Sequence, residues 1–420
     1  MRYRRIALLS SPASYRTQAF LTAAERLQLE VRHFIDTPEP LVQQWRRPEA
    51  VDFSRPQDAA TRIVQLLGER PVDAIVPVDD TATLVAALVA SQLGLPHNDP
   101  EATLAARDKL RMRQRLHAHG VRIPRFMPYP AVTDPRSIAE DVEYPCVVKP
   151  TLLSGSRGVI RADDPEQFIA AFERVQRIVV SDGAELDHAV ILVETFVPGF
   201  EVALEGLLDE GILHVLALFD KPDPLDGPFF EETIYVTPSR LPAAVQQAIS
   251  RCAADAARAL GLRTGPIHAE LRLNESGPWI IEVAGRSIGG LCSTILEFGT
   301  GMSLEELILA HAVGDPIASL ERRGAAAGVM MIPIPRAGIL RGVDGIEDGL
   351  CVPGVTGIEI TAKLNHPLVP LPEGASYLGF IFARGQTPDD VEAALRAAHR
   401  CLSFRITPEI RLQPVTATRR

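Results

Sequence analysis

Residues 268–286 read HAELRLNESGPWIIEVAGR. Two short apolar strands, His268–Leu273 and Trp279–Val283, flank a turn, and each carries a glutamate, Glu270 and Glu282. A carboxylate in such a strand is costly unless it is paired or bound to a metal. On adjacent antiparallel strands the two acids converge, and Mg²⁺, a hard ion that favours oxygen ligands and substrate phosphates, suits them. Simple alternation sets Ile280 and Glu282 on one side of the second strand, with Trp279 and Ile281 on the other. Arg286 follows within reach and suits bidentate binding of a phosphate or carboxylate. A Glu282–Arg286 salt bridge is the plainer reading of the same pair. Gly289-Gly290 then precedes a helical-looking Leu291–Leu296, where backbone N–H groups stabilise an anion or oxyanion, unless the glycines only make a tight turn. His268 reads equally as a neighbour of Glu270 or as a satisfied core histidine.

Upstream, Glu201–Leu208 and Leu213–Phe219 are further strands, and Pro242–Leu260 and Ser303–Val313 are helices, so residues 200–320 hold a long sheet with helices. The segment 221–235, KPDPLDGPFFEETIY, reads as a long loop whose Glu231 or Glu232 meets an amino group or is merely solvated. Glu194-Thr195-Phe196-Val197 leaves a strand, Val190–Val193, where backbone groups can meet an adenine edge. Glu201 then offers a carboxylate to ribose hydroxyls; a hinge with solvated acids is the alternative. Lys149 ends the strand Cys146–Lys149, and Lys109 lies on the preceding helix, read as one piece from Glu101 to His119. Two lysines from different subdomains can grip one polyphosphate, unless both are solvated surface groups. Ser154-Gly155-Ser156-Arg157-Gly158 follows directly, a loop that lays N–H groups on phosphate oxygens or is a plain hairpin. It lacks the G-K-[ST] ending of a P-loop.

Around this centre, residues 4–100 alternate strand and helix, which predicts a small parallel sheet. Ala74–Val78 ends in Asp79 and Asp80. No G-x-G-x-x-G follows the first strand. Pro124, Pro128, Pro130 and Pro135 mark a connector loop. Asp164 and Pro165 open a helix, and Thr387, Pro388 and Asp390 open another near the end.

With 420 residues the chain exceeds one compact core. Its net charge of −10 argues against a nucleic-acid surface. The five cysteines, 146, 252, 292, 351 and 401, are far apart with no C-x-x-C pair, against a disulfide framework or zinc site. The apolar run Ile6–Leu9 is far too short for a signal peptide, and no stretch nears the roughly 18 residues of a membrane span. The cytoplasm is the expected address.

The ordered set Lys109, Lys149, the glycine loop, Glu194, Glu201, Glu270, Glu282 and Arg286 resembles the ATP-grasp superfamily. The resemblance implies an ATP-grasp fold of mixed α/β and α+β class. It has an N-terminal parallel α/β domain (1–103), an ATP-grasp domain (104–323) with a lid at about 142–195, and a C-terminal α+β cap (324–420). It implies that Lys109 and Lys149 contact ATP phosphates, with the loop residues Ser154, Gly155, Ser156 and Gly158 beside them. The backbone at Glu194, Phe196 and Val197 reads adenine, and Glu201 binds ribose. Glu270 and Glu282 hold Mg²⁺, or Mn²⁺ in its place. Arg286, with Gly289 and Gly290, stabilises the phosphoryl group and the oxyanion. Many members carry Asn two residues after the second metal acid; here Ala284 stands there, which thins the ligand set of one metal. A small residue followed by Arg, and the tail segments 328–347, 353–360 and 387–406, are similar to the bacterial L-amino-acid ligases.

The implied activity is an ADP-forming carboxylate–amine ligase that works through an acyl phosphate on small-molecule partners, as a monomer or homodimer, without nucleic acid or membrane. Three rivals stand beside it: a biotin- or purine-type carboxylase, for which no carrier-lysine motif is seen; a ligase for a non-amino-acid carboxylate; and a non-catalytic ATP-binding regulatory module.

Overall fold

A computed structural model describes residues 4–409 apart from 13, 46–48 and 69. The extreme ends of the two expected outer domains, 1–3 and 410–420, lie outside the described residues. β1 (Arg5–Ser10), β2 (Glu30–Asp36), β3 (Ala50–Val51) and β4 (Ala74–Pro77) form a parallel sheet in the order β3-β2-β1-β4. α1 (Thr17–Arg26), α2 (Glu39–Trp45) and α3 (Pro56–Leu67) connect them, and α4 (Asp80–Leu93) follows β4. β1 is apolar on both faces because both are covered: Ile6 and Leu8 pack with α1, Ala7 and Leu9 with α3 and α4.

The single helix expected over 101–119 is two, α5 (Pro100–Arg107) and α6 (Lys109–Ala118). Asp108 between them is extended (φ −93°, ψ 112°), and its carboxylate accepts from the N–H groups of Leu110 and Arg111. That cap starts a new helix at Lys109.

The lid sheet contains β5 (Phe126–Pro130), β6 (Cys146–Pro150), β7 (Ile160–Ala162) and β8 (Val190–Thr195) in the order β5-β8-β6-β7, backed by α7 (Pro165–Ser181). Part of the expected proline connector is therefore strand. β5 sits at the sheet edge, where Pro128 and Pro130 forfeit no ladder bond on the open side.

An eight-stranded antiparallel sheet runs through the middle. Its first part is β9 (Phe200–Asp209), β10 (Ile212–Asp220), β11 (Ile234–Thr237), β12 (Gly265–Asn274) and β13 (Gly277–Ala284). α8 (Ala243–Leu260) packs on one face with α5 and α6. β14 (Glu297–Phe298) and β15 (Met302–Ser303) lead into α9 (Leu304–Ala312), which packs against the other face and the N-terminal sheet. β16 (Ala326–Ile332), β18 (Val355–Ile360) and β20 (Gly379–Gly385) complete the sheet in the order β13-β12-β9-β10-β11-β16-β20-β18. α10 (Ile346–Leu350) and α11 (Pro388–Cys401) flank this end, beside a small sheet of β17 (Gly338–Asp344), β19 (Pro367–Leu368) and β21 (Ser403–Thr407). The sheet thus continues without a break across position 324. Among the described residues no helix is long and apolar enough to cross a membrane.

Candidate active site

Three adjacent strands make the floor of a deep cleft. β9 sends Val202, Leu204 and Leu208 into the core beneath α8, so Glu201 and Glu205 face the other way. The register sets Glu201 beside Arg272, Glu205 beside His268, and Glu270 between Ala203 and Glu282. Simple alternation fails on β13. The register slips between Glu270 and Leu271, which leaves Ile281 as an extra residue. Ile280 therefore enters the core while Ile281 and Glu282 both line the cleft.

Lys221, just after β10, lies at the centre of the floor. Its Nζ is 2.8 Å from Glu201 and 3.0 Å from Glu270, also contacts Glu232, and sits 5.0 Å from the Tyr235 ring centroid. Burial alone would lower its pKa, but the three carboxylates hold the ammonium well above its usual range. Glu201, Glu232 and Glu270 bring oxygens within 4.8 Å of one another, a metal-like spacing. The Lys221 ammonium sits among them, Arg272 pairs with Glu201 and His268 stands near Glu270, so their convergence needs no ion. Burial opposes ionisation of Glu270, yet Lys221 and His268 keep it well below the ordinary carboxylate range. Burial and the Glu270 charge push Glu232 up to about 7 against the pull of Lys221.

Glu282 differs. Its side chain is 30% exposed, and the nearest cation, Lys109 Nζ, is 3.5 Å away. Glu270 and Glu282 thus present a cross-strand pair with one member open to the cleft, a donor set that suits a hard divalent cation. Ala284 adds only a methyl group there.

Glu194 is a buried hub rather than a solvated hinge acid. Arg113 grips it bidentately at 2.7 and 3.2 Å, and Lys149 Nζ meets it at 2.6 Å. Burial lowers the pKa of Lys149, and Glu194 offsets only part of that. Arg113 also donates to the Ile281 carbonyl at 2.7 Å. The sequence reading missed it, although Lys109 and Arg113 stand four apart on one helix face. Lys109 Nζ donates to the Leu153 carbonyl at 2.7 Å, at the root of the glycine loop.

In that loop Ser154, Gly155 and Ser156 line the cleft; Gly158 does not. Its φ is +74°, and a Cβ there would meet Pro150 at 3.0 Å, so this glycine serves the turn. Phe196 and Val197 line the cleft. The N–H groups of Thr195 and Phe196 are taken by Arg125 and Pro145 carbonyls, and Arg272 takes the Val197 carbonyl. Among the described residues the Val197 N–H has no partner and is the free donor of this segment. Glu201, expected at the ribose, has its two oxygens engaged by Lys221 and by Arg272 at 2.9 Å.

Arg286 makes no bridge to Glu282. It donates to Asp80 at 2.8 Å and to the Ser287 carbonyl at 2.9 Å. Burial disfavours ionised Asp80, but Arg286 and Lys109 pull it below its ordinary pKa. The acids ending Ala74–Val78 were the sequence signal for this partner. Gly289 and Gly290 line the cleft; at Gly290 φ is +59°, and a Cβ would meet the Phe380 ring at 2.9 Å. The helix expected at Leu291–Leu296 is only a short 3-10 turn, Cys292–Ile295. His268 takes both expected roles at once. It is buried, bonded to Glu205 at 3.2 Å and 3.8 Å from Glu270, and against burial these acids raise its pKa to about 9.

Comparisons with known proteins fit this arrangement. The model of the ATP-grasp domain matches residues 142–295, and that of L-amino acid ligase C-terminal domain 2 matches 330–407. A D-alanine–D-alanine ligase of Cupriavidus taiwanensis is 30% identical over 233 residues, which cover 52% of this chain and 67% of that enzyme. The chain belongs to the ATP-grasp family. As an ATP-grasp protein it is an ATP-dependent ligase that forms carbon–nitrogen bonds. The alanine–anticapsin ligase of Bacillus subtilis is 27% identical over 61% of this chain, which spans only 58% of that ligase. The crystal structure of an L-amino acid ligase from Bacillus licheniformis superposes with a TM-score of 0.78 at 26% identity, covering 97% of this chain and all of that one. In this ATP-grasp ligase, the glycine loop and Glu282 therefore lie inside the matched ATP-grasp segment, and Tyr377 and Phe380 inside the matched C-terminal one.

Proposed function

We propose that this ligase joins the carboxylate of one amino acid to the amine of a second, forming a peptide bond through an acyl phosphate with release of ADP and phosphate. The single observation that carries the reading is the pairing of Glu270 with Glu282 across β12 and β13, facing Lys109, Lys149 and Arg286 in one cleft. The similarity of the C-terminal segment to L-amino acid ligases supports amino acids as both substrates.

The substrate carboxylate oxygen attacks the γ-phosphorus of ATP, and the bond to the β,γ-bridging oxygen breaks as ADP leaves. Lys109 and Lys149 hold phosphate oxygens during this transfer, and the Ser154–Ser156 amides cover them. The Val197 N–H meets the adenine edge. Glu270 and Glu282 would hold Mg²⁺, which when bound neutralises charge developing on the phosphates. The amine then attacks the acyl carbon, and phosphate leaves. Arg286, aimed by Asp80, and the Gly289-Gly290 backbone stabilise the oxyanion of that step. The lid, about 142–195, excludes water from the acyl phosphate.

The test is ADP and phosphate release from ATP and Mg²⁺ with pooled amino acids, and separately with bicarbonate. ADP formed only with amino acids supports the reading; AMP and pyrophosphate would exclude the acyl phosphate. Glu282→Gln is expected to lower turnover by roughly 10²–10³-fold or more, the scale of losing one electrostatic stabiliser. Full activity in that variant removes Glu282 from the metal site.

A further inference from the structure

The lid is tied down on its outer side by residues that take no part in the mechanism above. Glu373 lies in the segment Pro370–Tyr377, between β19 and β20 of the C-terminal region. Arg174 of α7 reaches it with two bonds, Nε to Oε1 at 2.6 Å and Nη2 to Oε2 at 2.9 Å. The same guanidinium lies 5.1 Å from the ring centroid of Phe229, in the 221–233 loop, and Phe229 bridges to Ile160 of the lid. One side chain therefore joins three segments that close on the cleft.

The backbone repeats the connection beside the glycine loop. The Gly158 N–H donates to the Pro372 carbonyl at 2.8 Å, and Arg157 Nε to the Glu373 carbonyl at 2.9 Å. Arg157 is itself anchored to Asp182 at the end of α7. A Cβ on Gly155 would stand 3.3 Å from the Ala375 Cβ, so the loop tip rests on this segment. The segment turns tightly. Gly374 N–H bonds Pro370 O at 2.9 Å, and a Cβ on Gly374 would fall 1.8 Å from the Val369 carbonyl oxygen. Two residues on from Ala375, Tyr377 faces the cleft, with its ring 6.0 Å from Phe380, which Tyr15 of the N-terminal domain meets at 5.7 Å. The outside of the segment thus grips the lid while Ala375 and Tyr377 on its inside line the cleft.

We propose that Arg174 and Glu373 are positioning residues, a latch that holds the glycine loop over the nucleotide while Pro370–Tyr377 is seated, so that occupancy beside Tyr377 and grip on the ATP phosphates are coupled. The inference rests on the ATP-dependent ligase reading for what fills the cleft. A rigid element in contact with two ligands gives reciprocal affinities: each ligand tightens the other by the same factor. An exposed ion pair alone contributes little; here the pair works with the Gly158–Pro372 backbone bond, the Arg157 side-chain bond to the Glu373 carbonyl and the Arg174–Phe229 contact.

The test uses the full chain in the variants Arg174→Ala, Glu373→Gln and their double. MgADP affinity is measured by calorimetry, with and without pooled amino acids. Each single change is expected to weaken ADP binding about threefold to tenfold. The double variant should be no weaker than the worse single, since both break one connection. Any tightening of ADP by amino acids in the parent should shrink in all three. During turnover, the ratio of ADP to peptide formed should rise in the variants as water reaches the acyl phosphate. Unchanged ADP affinity in both single variants, or losses that simply add in the double, overturns the latch. ADP binding needs no turnover, so a parent chain that binds ADP but joins no amino acids speaks against the ligase reading and leaves the latch test in force.

Discussion

At the scale of single residues, the floor of the cleft is an electrostatic balance around Lys221. Taking an ion out of water costs several kcal/mol, and a buried charge left without its partner is strongly destabilising. Lys221→Met would strand Glu201 and Glu270 against Arg272 and His268 alone. The expected loss is roughly 3–5 kcal/mol, read from urea unfolding at pH 7; a loss below ~1 kcal/mol would show that the carboxylates relax or take up protons without cost. A second buried pair contributes to the acid limb of stability. Arg16 donates to Glu305 at 2.8 Å, and both side chains are almost fully buried. Burial opposes ionised Glu305, but Arg16 and Ser293 hold its pKa below the ordinary 4.5. The unfolded chain then binds the proton more readily than the folded one. Stability from this pair is complete above pH 4.5 and drains as pH falls through the lower folded value. Glu305→Gln should melt lower than the parent at pH 7, yet lose less between pH 4.5 and 3; parallel melting curves would remove the pair from the acid transition. The residues that sequence reading found and those it missed divide along the same line. Glu270, Glu282 and Lys149 stand out because a charge in an apolar run is conspicuous. Lys221 and Arg113 escaped, and Asp80 was noted only as the end of a strand, because Glu201, Glu194 and Arg286 lie 20, 81 and 206 positions from them.

At the scale of elements, the sequence concealed a helix boundary, an edge strand and a bulge, each for its own reason. The starts of α7 and α11 were legible because Asp164 and Thr387 announce them. The break between α5 and α6 was hidden because Asp108 is compatible with helix by composition, and only its extended backbone makes it a cap. That break serves the site. It places Lys109 on the first turn of a new helix, where its backbone N–H bonds the Thr151 carbonyl at 2.9 Å. Asp108→Ala should cost about 1 kcal/mol of stability and raise the KM for ATP severalfold while kcat changes less, as Lys109 loses its fixed origin. An unchanged KM would mean that the Thr151 bond alone holds the lysine. The strand β5 was read as loop because its prolines forbid a central strand, and edge position cannot be seen before the sheet is assembled. The bulge at Ile281 belongs to the same class: period-two reasoning has no means of finding an inserted residue, and it moved Ile280 to the opposite face from Glu282.

At the scale of the whole molecule, the eight-stranded sheet ignores the boundary expected at 323/324. β11, with Ile234, Tyr235 and Val236 all buried, is covered on one side only by β16. A chain ended after Arg323 would leave β11 as an open apolar edge, the kind of strand that recruits other chains. It should pellet on expression or elute as large assemblies in size exclusion, where the full chain elutes as a defined species; a soluble, well-dispersed truncation would show that β10 and β11 do not need their partner. The order of strands also has a consequence in time. The stretch between Thr237 and Ala326 is about ninety residues long, which at roughly 5–20 residues per second takes about 5–20 s to synthesise. For that interval on the ribosome β11 waits without its neighbour, so the rate of translation through this stretch, and whatever shields the nascent strand, bear directly on how much of the enzyme reaches its native state.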